Sequence, residues 1–178
     1  MDQNQISLVQ LGSMTVYDDC DKAIQLSSLW QEATAVLVFV RHFGWVICRQ
    51  QVAELAGYQN DFSQKGAQLI IIGNGRVKDL NKFRQVTNYQ GILLTDPIRD
   101  SYKYLKFKSG LSDIIGMTSF TQTFSAFKAG FMPGSLQGNA LQLGGAIVVT
   151  PAGNIMYFFI SSAAGDHPPI EELLAATG

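Results

Sequence analysis

Cys48, Arg41 and Arg49 are the residues whose types and spacing could do chemistry in this chain. They fall in the stretch Val36-Leu37-Val38-Phe39-Val40-Arg41-His42-Phe43-Gly44-Trp45-Val46-Ile47-Cys48-Arg49, which reads as a buried strand running into a helix, with the cysteine in the first helical turn. The first N–H groups of a helix have no intrahelical partner and carry partial positive charge, so a thiolate placed there is stabilised. Such a thiolate could attack a peroxide O–O bond, with Arg41 or Arg49 steadying both the sulfur and the departing oxygen. The residue three positions earlier matters as much. A redox dithiol would read Cys-x-x-Cys, and Trp45 holds the place of its first cysteine. The pattern is a degenerate dithiol motif, reduced to one sulfur.

A plainer reading competes with it. Trp45, Cys48, Val52 and Leu55 recur at spacings of three, four and three, which is one stripe of a helix. Cys48 then points toward the core like any small apolar residue, and Arg49 and Gln50, off the stripe, are expected to face outward. His42 lies six residues before Cys48, so a Cys–His pair is conceivable, but a hydrogen-bonded structural histidine carries more weight because nothing identifies a third group. Cys20 sits in a turn between Asp19 and Asp21, whose carboxylates argue against intrinsic reactivity. It could still serve as a resolving cysteine if its Cα came within about 7 Å of that of Cys48.

The elements that must position Cys48 alternate. Residues 1–13 read as an irregular lead-in, and Met14–Tyr17 and Ala23–Gln25 as a strand–turn–strand pair. Ser27-Ser28 caps a short helical turn. Ala35–Phe39 is nearly continuous in apolar residues, as a strand covered on both faces must be. A helix follows over 45–60, a strand over Ala67–Ile72, a helix over Val77–Val86, a strand over Gly91–Leu94 and a helix over Ile98–Leu105. Thr121–Lys128 suggests another helix, and Phe120, Phe124, Phe127 and Phe131 at helical spacing read as core or as a dimer face. Gly145–Thr150 and Ile155–Ile160 form a hairpin around Pro151-Ala152-Gly153-Asn154, and Pro169–Ala176 closes as a helix. Strands that alternate with helices and end in a hairpin make one α/β domain over residues 1–178, a layered sandwich with a mixed sheet and an N-terminal β-hairpin.

Composition bounds the function. The chain has 178 residues, 47% of them apolar, with 13 basic and 14 acidic residues and a net charge of −1. That balance gives no electrostatic case for nucleic acid or an anionic membrane. The polar N-terminus has no basic and apolar signal pattern, no apolar run is long enough for a bilayer, and two cysteines are too few for a disulfide scaffold, so a cytoplasmic location is expected. No Cys/His cluster has metal-ligand spacing, so neither metal nor cofactor is expected. Gly73-Asn74-Gly75 reads as a turn set, not a phosphate loop, because Lys78 stands where a third glycine would be needed. Gly144-Gly145 opens a strand, which points to a close backbone approach.

The segment Phe39–Arg49 resembles the Phe-x-Arg-x-Phe-Gly-Cys-x-x-Cys-Arg signature of the peroxiredoxin-like branch of the AhpC/TSA (alkyl hydroperoxide reductase/thiol-specific antioxidant) proteins, to which the prostamide/prostaglandin F synthase-like proteins belong. Ile71–Gly75, Leu94–Pro97, Gln137–Asn139, Leu141–Gly145 and the run from 164 to Pro168 resemble further landmarks of that branch, in the same order. The resemblance spans roughly residues 14–176. It implies a thioredoxin-like three-layer α/β/α sandwich, a peroxide or other small oxidised substrate, and an external thiol reductant of the thioredoxin or glutathione type. By position only the second thiol, Cys48, carries over; the reading of the residues themselves adds Arg41 and Arg49 as electrostatic helpers and Phe43, Gly44, Trp45, Gln142, Gly144 and Gly145 as candidate neighbours. Two departures stand out: Trp45 replaces the first cysteine, and Asn139 stands where the branch often has Asp. The expected function is a peroxiredoxin-like thiol antioxidant working through Cys48. The alternative is a catalytically degenerate thioredoxin-fold binding module in which Trp45 fills the old active-site mouth, and an endoperoxide reductase is a weaker third.

Overall fold

In a computed structural model, residues 2–109, 142–163 and 165–178 are described. The expected helix near Thr121–Lys128, the phenylalanine series, Gln137 and Asn139 lie outside them.

The centre of the molecule is a seven-stranded mixed sheet. Its strands are β1 (Thr15–Tyr17), β2 (Ala23–Gln25), β3 (Thr34–Phe39), β4 (Ala67–Gly73), β5 (Ile92–Thr95), β6 (Gly145–Val149) and β7 (Ile155–Ile160), in the order β2-β1-β5-β4-β3-β6-β7. β3, β4 and β5 run parallel, while β6 is antiparallel to β3, β7 to β6, and β1 to both β5 and β2.

The period of two along each strand divides the core. Val36, Val38 and Val40 of β3 and its exit join Leu69 and Ile71 of β4 and Ala146 and Val148 of β6 on one face. There they pack under the helices α2 (Val46–Ala56), α3 (Gln59–Gln64), α4 (Leu80–Thr87) and α6 (Ile170–Ala175). Ala35, Leu37 and Phe39, with Ile70, Ile72, Ile147 and Val149, face the other way, toward α1 (Leu8–Gly12), the 3₁₀ turn Leu26–Trp30 and α5 (Asp100–Tyr104). Burial on both faces is why β3 and β4 read as unbroken apolar runs. The result is the three-layer sandwich expected, with an N-terminal hairpin on the sheet edge.

Three expectations need correction. Residues 1–13 are not an irregular lead-in: Asp2 and Gln5 form a reciprocal capping box on a 3₁₀ turn, and the Ser7 hydroxyl caps α1. Leu11 and Gly12 of α1 are buried, so the segment is part of the structure. The helix expected over 45–60 is two helices, because Gly57 and Tyr58 interrupt the ladder between α2 and α3. The helix expected over Val77–Val86 opens as a 3₁₀ turn, Val77–Asp79, before α4 begins. Among the described residues no helix is long and apolar enough to cross a membrane.

Gly144 fixes how close β6 comes to β3. A Cβ there would fall on the Phe39 carbonyl oxygen, and one on Gly145 would meet Phe159 backbone and the Phe107 ring. Gly144→Ala should therefore lower stability by roughly 2–4 kcal/mol, because the obstacle is backbone that cannot rotate away. Urea unfolding checks this; a loss below about 0.5 kcal/mol would show that the strand shifts freely.

Candidate active site

β3 ends at Phe39, and the chain needs only residues 40–45 to reach the N-terminus of α2. This places Cys48, in the first turn of α2, beyond the carboxyl end of β3, where open α/β sheets commonly bind ligands. Trp45 is the N-cap residue of α2 and makes no side-chain cap, so the helix start keeps its partial positive charge available.

Cys48 faces the core with Val52 and Leu55, as its stripe requires, and is 5% exposed. It is not sealed off. With Arg41, Trp45, Gly144, Ser161 and His167 it lines a cleft of about 30 Å³ between the β3–α2 loop and the ends of β6 and β7. One water needs roughly 10–15 Å³ by this measure, so the cleft holds about two water-sized groups.

Opposing effects act on the thiol. Burial pushes the Cys48 thiol above its ordinary range. The backbone N–H groups of His42 and Arg41 and the charges of Arg41 and Arg49 favour the thiolate, but burial prevails. The neighbouring cations thus pull downward as expected without setting the net direction. Arg41 and Arg49 are themselves held below the usual guanidinium range by burial, with the Cys48 thiolate as the group that favours their charge.

Arg49 corrects the sequence reading. It does not face outward but is buried, and its Nε donates to the Phe43 carbonyl at 3.0 Å. That oxygen belongs to the loop before α2, so the guanidinium folds back across the helix start. Gln50 stays partly exposed and donates to Glu54 at 2.9 Å. The Arg41 guanidinium lies over the Trp45 ring, 4.3 Å from its centroid, a cation–π contact that orients both.

His42 is structural on one side. Its Nδ1 accepts from the Gly44 N–H at 3.2 Å, which leaves Nε2 carrying the proton, buried without a partner. The Trp45 indole N–H is likewise buried without a partner. Burial, then Arg41, then Arg49 lower the His42 pKa to about 4, so the ring is neutral near pH 7. Gly44 is buried beside it. The Phe43 ring is not part of the cleft wall; it packs at a tilt against Phe83, with ring centroids 4.7 Å apart, and occupies the space a Cβ on Gly73 would need.

The remaining candidates separate. Gly144 lines the cleft and its carbonyl accepts from the Ser161 N–H at 3.1 Å; Gly145 also lines it. Gln142 does not line the cleft: its Nε2 reaches the carbonyls of Phe107, Lys108 and Leu143 at 3.0–3.2 Å, a clip between backbone segments. Cys20 is exposed in the β1–β2 turn, and Cys48 is a free thiol like it. Tyr17 pairs with Thr95, so that turn points toward the start of β5, where Asp19 meets Arg84 at 3.6 Å. Cys48 lies at the opposite ends of the strands and three ladders away, on the order of 20 Å by strand spacing. This arrangement does not bring the two sulfurs together.

Tyr102, Asn74 and Asp96 were not singled out by sequence as functional. The Tyr102 hydroxyl reaches the Val40 carbonyl at 2.7 Å and that of Ile72 at 2.9 Å, and Asn74 Nδ2 donates to the Arg41 carbonyl. Asp96 accepts from the Ser101 N–H and hydroxyl at 2.9 and 2.5 Å and so anchors the helix that carries Tyr102. For Asn74 and Asp96 the sequence signals were the turn chemistry of Gly73-Asn74-Gly75 and Asp96-Pro97 and the landmark segments Ile71–Gly75 and Leu94–Pro97; Tyr102 had none.

A family model described as "AhpC/TSA antioxidant enzyme" matches residues 54–162. Among curated proteins, the chain is 33% identical to "Thioredoxin-like protein AAED1, chloroplastic" of Arabidopsis thaliana, over 93% of this chain and 71% of that protein. It is 30% identical to a "Prostamide/prostaglandin F synthase" of Salmo salar over 97% and 88%, and 29% identical to "Peroxiredoxin-like 2C" of Homo sapiens over 99% and 83%. Among solved structures, peroxidoxin BcpB of Mycobacterium tuberculosis aligns with a TM-score of 0.66 at 16% identity, covering 92% of this chain and 90% of that one. The Xanthomonas campestris bacterioferritin comigratory protein aligns at 0.67 and 11% identity, covering 95% and 92%. At these identities the structural matches establish the thioredoxin-type peroxiredoxin fold alone.

His42 gives a pH signature. Its folded pKa is about 4 and its unfolded pKa about 6.5, so between those values the unfolded chain takes up the proton first. Its contribution to stability should be flat above about pH 6.5, fall as pH drops toward 4, and level off below, with a full effect of roughly 3 kcal/mol. Urea unfolding of wild type and His42→Gln across that window isolates it from the carboxylates. Parallel curves for the two proteins would refute the assignment.

Proposed function

The chain belongs to the AhpC/TSA antioxidant-enzyme family, and from that premise we propose that it is a one-cysteine thiol peroxidase for small hydroperoxides, acting through Cys48. The observation that carries this reading is the setting of the sulfur: on the wall of a water-sized cleft, with two backbone N–H groups that favour its charge, and in the field of Arg41 and Arg49. In the proposed step the Cys48 thiolate attacks one peroxide oxygen and the O–O bond breaks. Sulfur loses two electrons and becomes a sulfenic acid, while the second oxygen leaves as hydroxide or alkoxide and takes up a proton. Arg41, on the cleft wall, favours the departing negative charge.

Trp45 occupies the place that the family resemblance gives a first cysteine, so recovery needs an external thiol of the thioredoxin or glutathione type, as a reducing cytoplasm supplies. That thiol attacks the sulfenic sulfur and releases water, leaving a mixed disulfide. A second thiol then frees Cys48 and departs with the first as a disulfide. The cleft of about 30 Å³ favours hydrogen peroxide or a short alkyl hydroperoxide over an endoperoxide of the size processed by a prostaglandin synthase.

The second reading is a degenerate binding module. Two observations favour it: the thiol is held up by burial, and the Trp45 indole N–H is buried without a partner at the mouth where a ligand group could accept from it.

The test is peroxide-dependent sulfenate formation across pH in wild type, Cys48→Ser and Cys20→Ser. Because the thiol is raised, the rate should increase about tenfold per pH unit below its titration, persist in Cys20→Ser and vanish in Cys48→Ser. A Cys48 no more reactive toward peroxide than a denatured-state cysteine at equal thiolate fraction would leave the binding module.

A further inference from the structure

We propose that His167 is a further catalytic residue of this centre: across the cleft from Cys48, its imidazole N–H donates to the peroxide oxygen that departs when the sulfur attacks the other. The inference rests on the peroxidase reading of Cys48 and adds the group that receives the leaving oxygen.

The direction of attack sets where that oxygen goes. Displacement at a peroxide oxygen needs the attacking sulfur and the departing oxygen in line, on opposite sides of the oxygen under attack. Cys48 belongs to α2, so the departing oxygen moves toward the wall that faces α2. The loop after β7 forms that wall: Ser161, Asp166 and His167 line the cleft from it, and Cys48 and Gln51 line it from α2. The same two elements meet again beside the cleft, where Gln51 and Glu54 of α2 border a smaller hollow with His167 and Leu173. The cleft holds about two water-sized groups. That matches the two oxygens of a peroxide, one at the sulfur and one at the far wall. Arg41 supplies positive charge from the loop before α2, and His167 supplies a directed donor from the other side.

The rest of the far wall is committed to its own loop. The Ser161 N–H donates to the Gly144 carbonyl, and the Asp166 N–H to the Ala163 carbonyl at 3.2 Å. Asp166 Oδ2 accepts from the Ser162 N–H at 2.7 Å and from the Ser162 hydroxyl at 2.5 Å. Among the described residues, nothing hydrogen-bonds the His167 ring. The backbone that carries the ring is fixed. Gly165, with a φ of 87°, lets the loop turn, and buried Pro168 restricts the residue before it, which is His167.

In the step, sulfur bonds to one oxygen, the O–O bond breaks, and the departing oxygen leaves with the bonding pair. It accepts from His167 as its charge appears and then takes a proton from water, so the ring is not consumed. An imidazole is a donor whether neutral or charged, so the rise of rate with pH stays that of the thiolate.

The experiment measures oxidation of Cys48 in Cys20→Ser protein by hydrogen peroxide and by peroxynitrite at one pH. The first expels hydroxide, and the second expels nitrite, a far weaker base that needs little help. His167→Leu should slow the hydrogen peroxide reaction roughly tenfold and the peroxynitrite reaction less than about twofold, and His167→Gln, which keeps an N–H donor, should recover much of the loss. An unchanged hydrogen peroxide rate in folded His167→Leu, or equal losses with both oxidants, overturns the inference. The chain has only two histidines, so ¹⁵N-histidine resonances give a second measurement with His167 in place. In protein carrying Cys20→Ser and Cys48→Ser, added hydrogen peroxide should shift the His167 ring signals saturably and move those of His42, which does not line the cleft, far less. Unmoved His167 signals overturn the inference even if His167→Leu does not fold. Shifted His167 signals in a protein whose Cys48 never reacts uphold the peroxide contact and remove the peroxidase reading. Cys48 oxidation that is indifferent to His167 does the reverse.

Discussion

The rest of the site answers to one constraint: a cysteine sulfur is held in the apolar layer between the sheet and α2, where its charged form is costly. Every group near it bears on that cost. Two backbone N–H groups of the loop before α2 favour that form, and two guanidiniums lie in its field. The imidazole beside them is kept neutral, first by burial and then because a third positive charge in that space would be repelled by the two already there. Burial still prevails for the free thiol, so the site resists the thiolate and at the same time is furnished to receive negative charge. A reaction that moves charge from sulfur to a departing oxygen leaves that charge within reach of the same donors, which is where fixed dipoles in a poorly solvated site act most strongly.

Much of this was legible in the sequence because it depends on local pattern. The unbroken apolar run of β3 implied a strand covered on both faces, and the stripe Trp45–Cys48–Val52–Leu55 put the sulfur on the core side of a helix. Gly144-Gly145 implied a backbone contact, and the structure supplies it with β3 at Phe39. The ends of elements were harder. Gly57 splits one periodic pattern into two helices, and the capping box at Asp2 and Gln5 orders a segment with no obvious periodicity.

What the sequence did not disclose depends on contacts between distant residues. Arg49 falls off the helical stripe, but a long side chain at a helix start can turn back, and the Phe43 carbonyl gives it a reason to. Tyr102 reads as one more aromatic on a short helix; only the topology, which sets α5 against the exits of β3 and β4, brings its hydroxyl to the Val40 carbonyl. Cys20 shows the converse. Composition makes it the obvious partner for Cys48, and the antiparallel register of β1 on β5 carries it to the other end of the sheet.

The same geometry bears on how a single-sulfur cycle could be completed. Oxidation needs only a small molecule to enter a cleft of about 30 Å³, whereas recovery needs a thiol on a larger carrier to reach the same sulfur along a line of attack. Trp45 and Arg41 both line that cleft and meet in the cation–π contact, so displacing the indole also disturbs the guanidinium packed on it. On the peroxidase reading, the step that removes oxygen from sulfur, and not the step that adds it, is the one the architecture hinders.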